Sequence, residues 1–347
     1  MYDQISMVVG WDIGGAHLKA ALVDAQGKAM KVFQLPCPLW KGTHELVSAM
    51  QHMLKLMEAT NVQHAVTMTG ELVDYFPNRQ TGVCEIKQVV VDLLGQDVRF
   101  YAGSLGFIST EEVNSNALHI ASMNWHASAS FVAKHVQNAL FMDIGSTTTD
   151  LIPIQAKLLI NQATTDADRM ASNELIYTGL IRTPLMAIGQ KITFRGRSYH
   201  IVAEHFATSA DVYRLLVQLP ECVDIAETAD GQGKTMLETA RRIARMIGYD
   251  VEDASMLDWI ALAEAFKALQ MCQLGQAVMQ YTQNTPIVLV GAGVGDFLVK
   301  ELANVLECTY LNVKDMIQAE ERTTLQNAAI CFPAYALACL VINNGNP

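Results

Sequence analysis

One local pattern recurs and constrains the fold more than any other feature of the chain. An apolar strand, Met7 to Trp11, enters Asp12-Ile13-Gly14-Gly15 and is followed at once by a second strand, Leu18 to Val23. Ala139 to Met142 likewise enters Asp143-Ile144-Gly145-Ser146 and leads to Leu151 to Ile154. Strands joined by so short a turn are antiparallel neighbours. A third apolar stretch, Ala29 to Leu35 in one copy and Leu158 to Ile160 in the other, completes each meander. The aspartates lie 131 positions apart in a chain of 347 residues. A unit that restarts in this way reads as internal duplication, with two α/β domains, as the length alone predicts.

The rest of the first half fits that reading. Apolar residues at 46, 47, 50, 53, 54 and 57 predict a helix over Glu45 to Glu58. Strands are expected at Ala65 to Thr69 and Val98 to Ala102, a helix at Gly82 to Leu94, and one long Ala-rich helix over Asn114 to Ala133. From about 164 to 258 the composition turns polar and charged, with a turn at Ala229-Asp230-Gly231 and a helix over Thr235 to Ile247, and this block is expected to be an insert or substrate lobe. The α/β pattern then resumes: strand Pro286 to Val290, loop Gly291-Ala292-Gly293-Val294-Gly295, helix Asp296 to Leu306, strand Thr309 to Val313 and a single final helix Thr323 to Ile342. The expected domains are 1–135 plus 322–347, and 136–321 with the insert at 164–258. Each is expected on a five-stranded sheet, with the final helix coupling the two lobes.

Composition narrows the function. With 51 % hydrophobic and 17 % charged residues the chain can bury a large core and reads as soluble and globular. A net charge of −11, with no Lys/Arg run longer than two, argues against nucleic acid or an anionic membrane as partner. Seven cysteines, an odd number without a C-x-x-C pair, read as reduced thiols and point to the cytoplasm. No signal peptide is expected. The longest apolar run, Ala328 to Ile342, is interrupted by Pro333 and falls short of the roughly 20 residues that span a bilayer, so a buried helix is expected. The expected partners are small-molecule substrates and a second copy of the chain in a homodimer.

The repeated turn also carries chemistry. A strand ending in Asp-Ile-Gly leaves backbone N–H groups pointing into the turn, and Gly14 and Gly15 let a phosphate approach closely. Asp12 is suited to hold magnesium or a water, and Lys19 to neutralise a phosphate oxygen. In the second copy Gly145 is followed by Ser146, Thr147, Thr148 and Thr149, consecutive hydroxyls that make a donating anion site. Gly291, Gly293 and Gly295 form a loop after a strand and before a helix. A dinucleotide fingerprint is disfavoured there, because Asp296 stands where the third glycine belongs and only about fifty residues follow. Phosphate at the helix N-terminus, with the glycines against a base or substrate, fits better. Asp12, Asp143 and Glu71 are candidates for general base or metal ligand, with Asp12 and Asp143 favoured for metal. Arg169 and Arg182 are suited to clamp a carboxylate or phosphate, and a structural ion pair with Asp166, Asp168 or Glu174 is the competing role. His200 and His205 lack the spacing of a zinc helix, Trp125 and the seventeen methionines read as packing, and neither Cys84 nor Cys222 is assigned as a nucleophile.

Taken together, D-I-G-G-x-x-x-K from Asp12, D-I-G-S-T-T-T-D from Asp143 and V-L-V-G-A-G-V-G ending at Gly295 resemble phosphate loop one, phosphate loop two and the adenosine-type loop of the actin, sugar-kinase and heat-shock ATPase superfamily. Within it the chain is most similar to hydantoinase/oxoprolinase-related proteins of the tetrahydromethanopterin-linked one-carbon pathway. Thr67 to Leu72, Asn124-Trp125, Thr165 to Arg169, Glu174 to Gly179 with Arg182-Thr183-Pro184, Glu204 to Thr208, Ala210 to Tyr213 and Thr228 to Gly231 carry that likeness. The resemblance implies an α/β, two-domain actin-like ATPase (ribonuclease H-like) fold with a central cleft and an insert in the second domain. It also implies a transferase of methanofuran-type cofactor synthesis that joins a furfuryl-type diphosphate to a phenol and releases pyrophosphate, with Mg2+ and a diphosphate-bearing substrate or ATP. An ATP-dependent kinase or an oxoprolinase/hydantoinase-type hydrolase using the same loops is the alternative. A nucleotide-gated interaction protein is disfavoured, since no peptide-binding domain follows.

Overall fold

The computed structural model describes residues 7–161, 163–282 and 287–345, with the side chains of Cys222, Thr282 and Asn344 excepted. Pro286, the expected start of a strand, and the Cys222 thiol lie outside the described residues. The chain divides into two compact units, one of Met1–Asn138, Ile154–Asp166 and Asn312–Pro347, the other of Ala139–Pro153 and Ala167–Leu311.

The first unit opens with the expected meander, β1 (Met7–Ile13), β2 (His17–Asp24) and β3 (Lys28–Pro36), in a register that sets Asp12 opposite Lys19. Helix α1 (Thr43–Met57) buries Leu46, Ala49, Met50, Met53 and Met57, the stripe that its 3.6-residue periodicity announces. Strand β4 (Gln63–Met68) returns parallel to β1 and brings Thr67 beside Asp12. Helix α2 (Arg79–Leu94) starts three residues before the expected Gly82, because Asn78 caps it by accepting from the Thr81 N–H at 2.9 Å. Strands β5 (Arg99–Tyr101) and β6 (Phe107–Ile108) follow. The expected helix over Asn114 to Ala133 is two helices, α3 (Ala117–Ile120) and α4 (Asn124–His135). Ser122, at φ 56°, adopts the left-handed conformation that no helix interior accommodates.

From Ala139 the pattern repeats with β7 (Ala139–Ile144), β8 (Thr149–Gln155) and β9 (Leu158–Leu159), the last of these in the segment Ile154–Asp166 that belongs to the first unit. Helix α5 (Asp166–Ala171), β10 (Leu175–Ile176), the hairpin β11 (Lys191–Phe194) and β12 (Arg197–His200), α6 (Ser209–Leu215) and α7 (Met236–Arg245) come next. The polar block has a core of its own, in which Phe194, Ile243, Met246, Trp259 and Phe266 pack together. Helix α8 (Met256–Thr282) is a long element the sequence reading does not anticipate. Its buried stripe includes Lys267 and Gln270, while Leu257 and Met279 lie exposed, which blurs the apolar period. Strand β13 (Val288–Ala292), α9 (Asp296–Val305) and β14 (Thr309–Asn312) complete the α/β pattern. Gly291 and Ala292 belong to the strand, so the glycine loop begins only at Gly293.

The chain then returns to the first unit with β15 (Gln318–Ala319), α10 (Arg322–Ile330) and α11 (Phe332–Gly345). The single helix expected over Thr323 to Ile342 is broken, the two pieces meeting at 97°. Pro333 lacks the N–H needed to continue α10, yet suits the first turn of a new helix. Residues 332–342 are all buried. They lie so close to β1 that a β-carbon on Gly10 would overlap the Ala334 carbonyl oxygen. Among the described residues no single helix is long and apolar enough to cross a membrane.

The two large sheets explain the repeat. One runs β15-β3-β2-β1-β4-β5-β6, the other β10-β8-β7-β13-β14 with β9 also on β8. The order β3-β2-β1-β4-β5 recurs as β9-β8-β7-β13-β14, which is the duplicated five-stranded core. Short edge strands extend both sheets beyond the five that the repeat alone predicts.

Candidate active site

In the first unit the turn after β1, loop one, is pinned from several sides. The Gly14 N–H donates to the His17 carbonyl at 3.0 Å, Leu39 N–H to Gly15 O at 3.0 Å, Cys37 N–H to Ala16 O at 2.9 Å and Thr69 N–H to Ile13 O at 2.9 Å. A β-carbon on Gly15 would sit 2.6 Å from Val73 Cγ1, and one on Gly70 3.1 Å from the Ile13 carbonyl oxygen. These glycines are therefore packing requirements of the turn and of the segment that lies on it.

At the base of loop one Asp12 is 3 % exposed, with Lys19 Nζ 3.5 Å from its Oδ2. Burial raises the Asp12 pKa, and Lys19 offsets only part of that rise. Asp12 Oδ1 and Thr67 Oγ1, on neighbouring strands in register, are buried without a hydrogen-bond partner among the described residues. Such atoms are costly unless something meets them. A hard cation bound by one or two carboxylates and substrate phosphates fits a buried aspartate with an orphaned oxygen. No group of three or more His, Cys, Asp or Glu poised for a metal exists among the described residues, and magnesium bound in that way does not require one.

Glu71 stands on the segment that closes over loop one and is 1 % exposed. Its Oε1 accepts from Ser122 Oγ at 2.9 Å, and its Oε2 has no partner among the described residues. The same Ser122 hydroxyl lies 3.2 Å from Asp166 Oδ2, which accepts from Arg79 at 2.9 Å. Burial pushes the Glu71 pKa up to about 7, with Asp166 adding to the rise and Ser122 and Arg79 opposing it. A carboxyl raised in this way is suited to exchange a proton near neutrality. Ser122, Arg79 and Asp166 as Glu71's neighbours were not found by motif reading. Asp166 and Glu71 lie in the segments that carry the family likeness, but nothing in the sequence joins them.

In the second unit the turn after β7, loop two, is closed by Gly145 N–H on the Thr148 carbonyl at 2.9 Å. Its outer side is gripped by residues 178–182: Leu180 N–H donates to Gly145 O at 3.0 Å, and Ile181 and Arg182 N–H to Ser146 O at 3.0 and 2.8 Å. A β-carbon on Gly179 would lie 2.6 Å from Thr147 N. Thr149 Oγ1 is buried and donates to Thr178 O at 2.6 Å, so of the four hydroxyls it is the one turned to the scaffold. Ser146, Thr147 and Thr148 are part-exposed, as is Asp143. Ala292 is in register with Asp143, and a β-carbon on Gly293, at φ 79°, would overlap Asp143 Oδ1. Gly295 N–H donates to Ile144 O at 2.9 Å, which seats the start of α9 on loop two. Asp143, Gly293 and Gly295 thus share one site. Gly291 sits deeper, in the strand, where a β-carbon would meet Tyr310 at 2.9 Å.

The two arginines separate. Arg182 is exposed, with its backbone on loop two. Arg169 is 1 % exposed, and its guanidinium donates to Asp150 Oδ1 at 2.7 Å and to the Glu174 carbonyl at 3.0 Å. Asp150, which the sequence reading did not name for this role, is one carboxylate partner, and Asp166 binds Arg79. Trp125 is buried at 2 %, as a packing residue is.

Two five-stranded cores of one order, each opening on a strand and an Asp-Ile-Gly turn, define the actin-like ATPase fold. The nucleotide-free structure of acetone carboxylase matches 96 % of this chain and 70 % of that chain, with a TM-score of 0.54 at 11 % identity. Within that fold the chain belongs to the hydantoinase/oxoprolinase family, whose profile matches residues 63–338. It is 29 % identical over 340 residues, 96 % of this chain and 97 % of the relative, to the Methanocaldococcus jannaschii protein named (4-{4-[2-(gamma-L-glutamylamino)ethyl]phenoxymethyl}furan-2-yl)methanamine synthase. A Methanococcus vannielii protein of the same name is 28 % identical over 63 % of this chain and 97 % of its own length. The chain is an enzyme of this family.

Proposed function

We propose that this enzyme is a transferase that joins a furfuryl-type diphosphate to a phenolic acceptor and releases pyrophosphate, in the synthesis of a methanofuran-type one-carbon cofactor. The name of the full-length relative describes a phenoxymethyl furan, an aryl ether of the kind such a reaction makes. The observation that carries the reading is Glu71, a buried carboxyl with one oxygen unpartnered among the described residues and a pKa pushed up to about 7. A phenol, with an ordinary pKa of about 10, needs a base of that strength to attack at neutral pH. Its oxygen bonds to the furfuryl carbon, the bond from that carbon to the diphosphate oxygen breaks, and the phenolic proton passes to Glu71.

The leaving group gathers negative charge, which Lys19 and the turn N–H groups of loop one are suited to meet; Ser146, Thr147 and Thr148 make loop two an anion site of its own. Asp12 is the residue that would hold magnesium at loop one, and Asp143 is the candidate of the same kind at loop two; such an ion supplies charge neutralisation for a departing diphosphate. Gly293 and Gly295 let the start of α9 pack directly on Asp143 and Ile144, and exposed Arg182 is the arginine suited to a carboxylate or phosphate on a substrate.

The test is turnover of an aminomethylfuran bearing a hydroxymethyl diphosphate with γ-glutamyl-tyramine and magnesium, read by mass spectrometry. Ether and pyrophosphate in equal amounts are expected. No ether, together with ATP consumed to ADP when ATP replaces the diphosphate, would overturn the reading in favour of a kinase or an ATP-dependent hydrolase.

A further inference from the structure

Behind Glu71 lies a chain of polar contacts that the proposed reaction does not itself require. Ser122 Oγ reaches Glu71 Oε1 at 2.9 Å and Asp166 Oδ2 at 3.2 Å, and Arg79 holds Asp166 at 2.9 Å. Glu71, Ser122 and Asp166 are 1 %, 4 % and 5 % exposed. Ser122 pays for its place with a left-handed backbone, φ 56°, at the break between α3 and α4. Gly82, on α2, is pressed against the Glu71 backbone, where a β-carbon would come within 2.8 Å of its carbonyl oxygen. A strained serine thus meets one carboxyl oxygen of Glu71, and its other neighbour is a buried acid that a half-exposed arginine holds. The other oxygen of the Glu71 carboxyl meets nothing among the described residues.

We propose that Ser122 is a positioning residue for Glu71: it occupies Oε1 and so presents Oε2 to the acceptor's proton. This rests on the reading of Glu71 as the base. A hydroxyl has one proton to give, and with Arg79 already serving Asp166 it is available to Glu71. Asp166, from the start of α5, and Arg79, from α2, are the charged groups that face Glu71. Their effects on its proton affinity have opposite signs, Asp166 raising and Arg79 lowering it, while the Ser122 hydrogen bond lowers it.

The test reads Glu71 itself, without substrate, by carbon-13 NMR titration of glutamate side-chain carboxyls in the full chain, its signal assigned as the one lost in Glu71→Gln. Ser122→Ala and Ser122→Gly both remove the hydroxyl, but only the glycine relieves the backbone. Both are expected to move the Glu71 titration to higher pH by similar amounts. Asp166→Asn is expected to move it to lower pH. In turnover, both Ser122 variants should lower kcat about tenfold or more, with KM little changed, and shift the acid limb of the pH profile upward. Asp166→Asn should shift that limb downward. A Glu71 titration unmoved by both Ser122 variants, or a Ser122→Gly enzyme as active as the parent, would overturn the proposal and leave Ser122 a backbone feature. Opposite shifts in a protein that makes no ether would instead retain the positioning contact and overturn the transferase reading.

Discussion

Loop one and loop two share a strand-turn-strand frame, but their surroundings differ. Asp12 is 3 % exposed, with Lys19 Nζ 3.5 Å away, whereas Asp143 is part-exposed and packed against Gly293. The residue 131 positions after Lys19, at the same place in the repeat, is Asp150, which Arg169 neutralises. One copy therefore keeps a cation beside its aspartate, while the other carries an acid tied into the scaffold. Loop one also lies under Glu71, a second carboxyl raised by burial. Loop two has hydroxyls and a backbone clamped from behind by residues 178–182. The difference teaches that duplication of a strand-turn-strand unit supplies geometry twice, and that the charges are assigned by the residues around each copy.

Three substitutions sharpen or break that contrast. Asp12→Asn should lower turnover at least about a hundredfold while leaving thermal unfolding no less stable, since a buried carboxylate is replaced by a neutral amide. A fall in stability matching the loss of activity would remove the distinction. Arg169→Met should do the opposite. It removes the buried guanidinium that binds Asp150 and the Glu174 carbonyl and is expected to destabilise the fold by about 3–5 kcal/mol in urea unfolding, whereas Lys19→Met, at a side chain 24 % exposed, should cost less than about 1 kcal/mol.

Next in size is a pair of glycines. Gly179→Ala drives a β-carbon to 2.6 Å from Thr147 N and should cost about 1–3 kcal/mol and weaken pyrophosphate binding. Gly145→Ala, inside the motif itself, meets only Thr148 O at 3.5 Å and should stay within about 1 kcal/mol. Equal effects would mean that loop two is not shaped from behind.

The smallest effect is a pH dependence. The Glu71 pKa rises from 4.5 unfolded to about 7 folded, so between those values the unfolded chain releases a proton that the folded one keeps. Stability therefore falls as pH rises through that window. Glu71→Gln should flatten the fall, by on the order of 1 kcal/mol, in thermal denaturation scanned from pH 4.5 to 7.

The strand-turn-strand repeat, the alternation of apolar strands with helices and the glycine loop made most of the fold legible in the sequence. Period and turn chemistry are local properties, and these elements follow them. The breaks were not legible. Ser122 and Pro333 each divide a helix that composition would run straight through, the first because its hydroxyl is drawn to two carboxyls, the second because it lacks an N–H. Helix α8 hid behind Lys267 and Gln270 on its buried face, where Gln270 Nε2 reaches Thr178 and Gly179. At the site, Asp12, Lys19 and the loop hydroxyls lie within their motifs and could be named. Glu71 was named as base or metal ligand without being told apart from Asp12 and Asp143, because its raised pKa comes first from burial, and its neighbours Ser122, Asp166 and Arg79 stand 51, 95 and 8 positions away, where only the folded chain assembles them.

The most direct test of the account is calorimetry of the full chain with magnesium pyrophosphate and, separately, magnesium ATP, repeated on Asp12→Asn. Loop one as a diphosphate site predicts pyrophosphate binding that Asp12→Asn abolishes, and no measurable binding of ATP. Tight ATP binding lost in Asp12→Asn, with pyrophosphate inert, would contradict it.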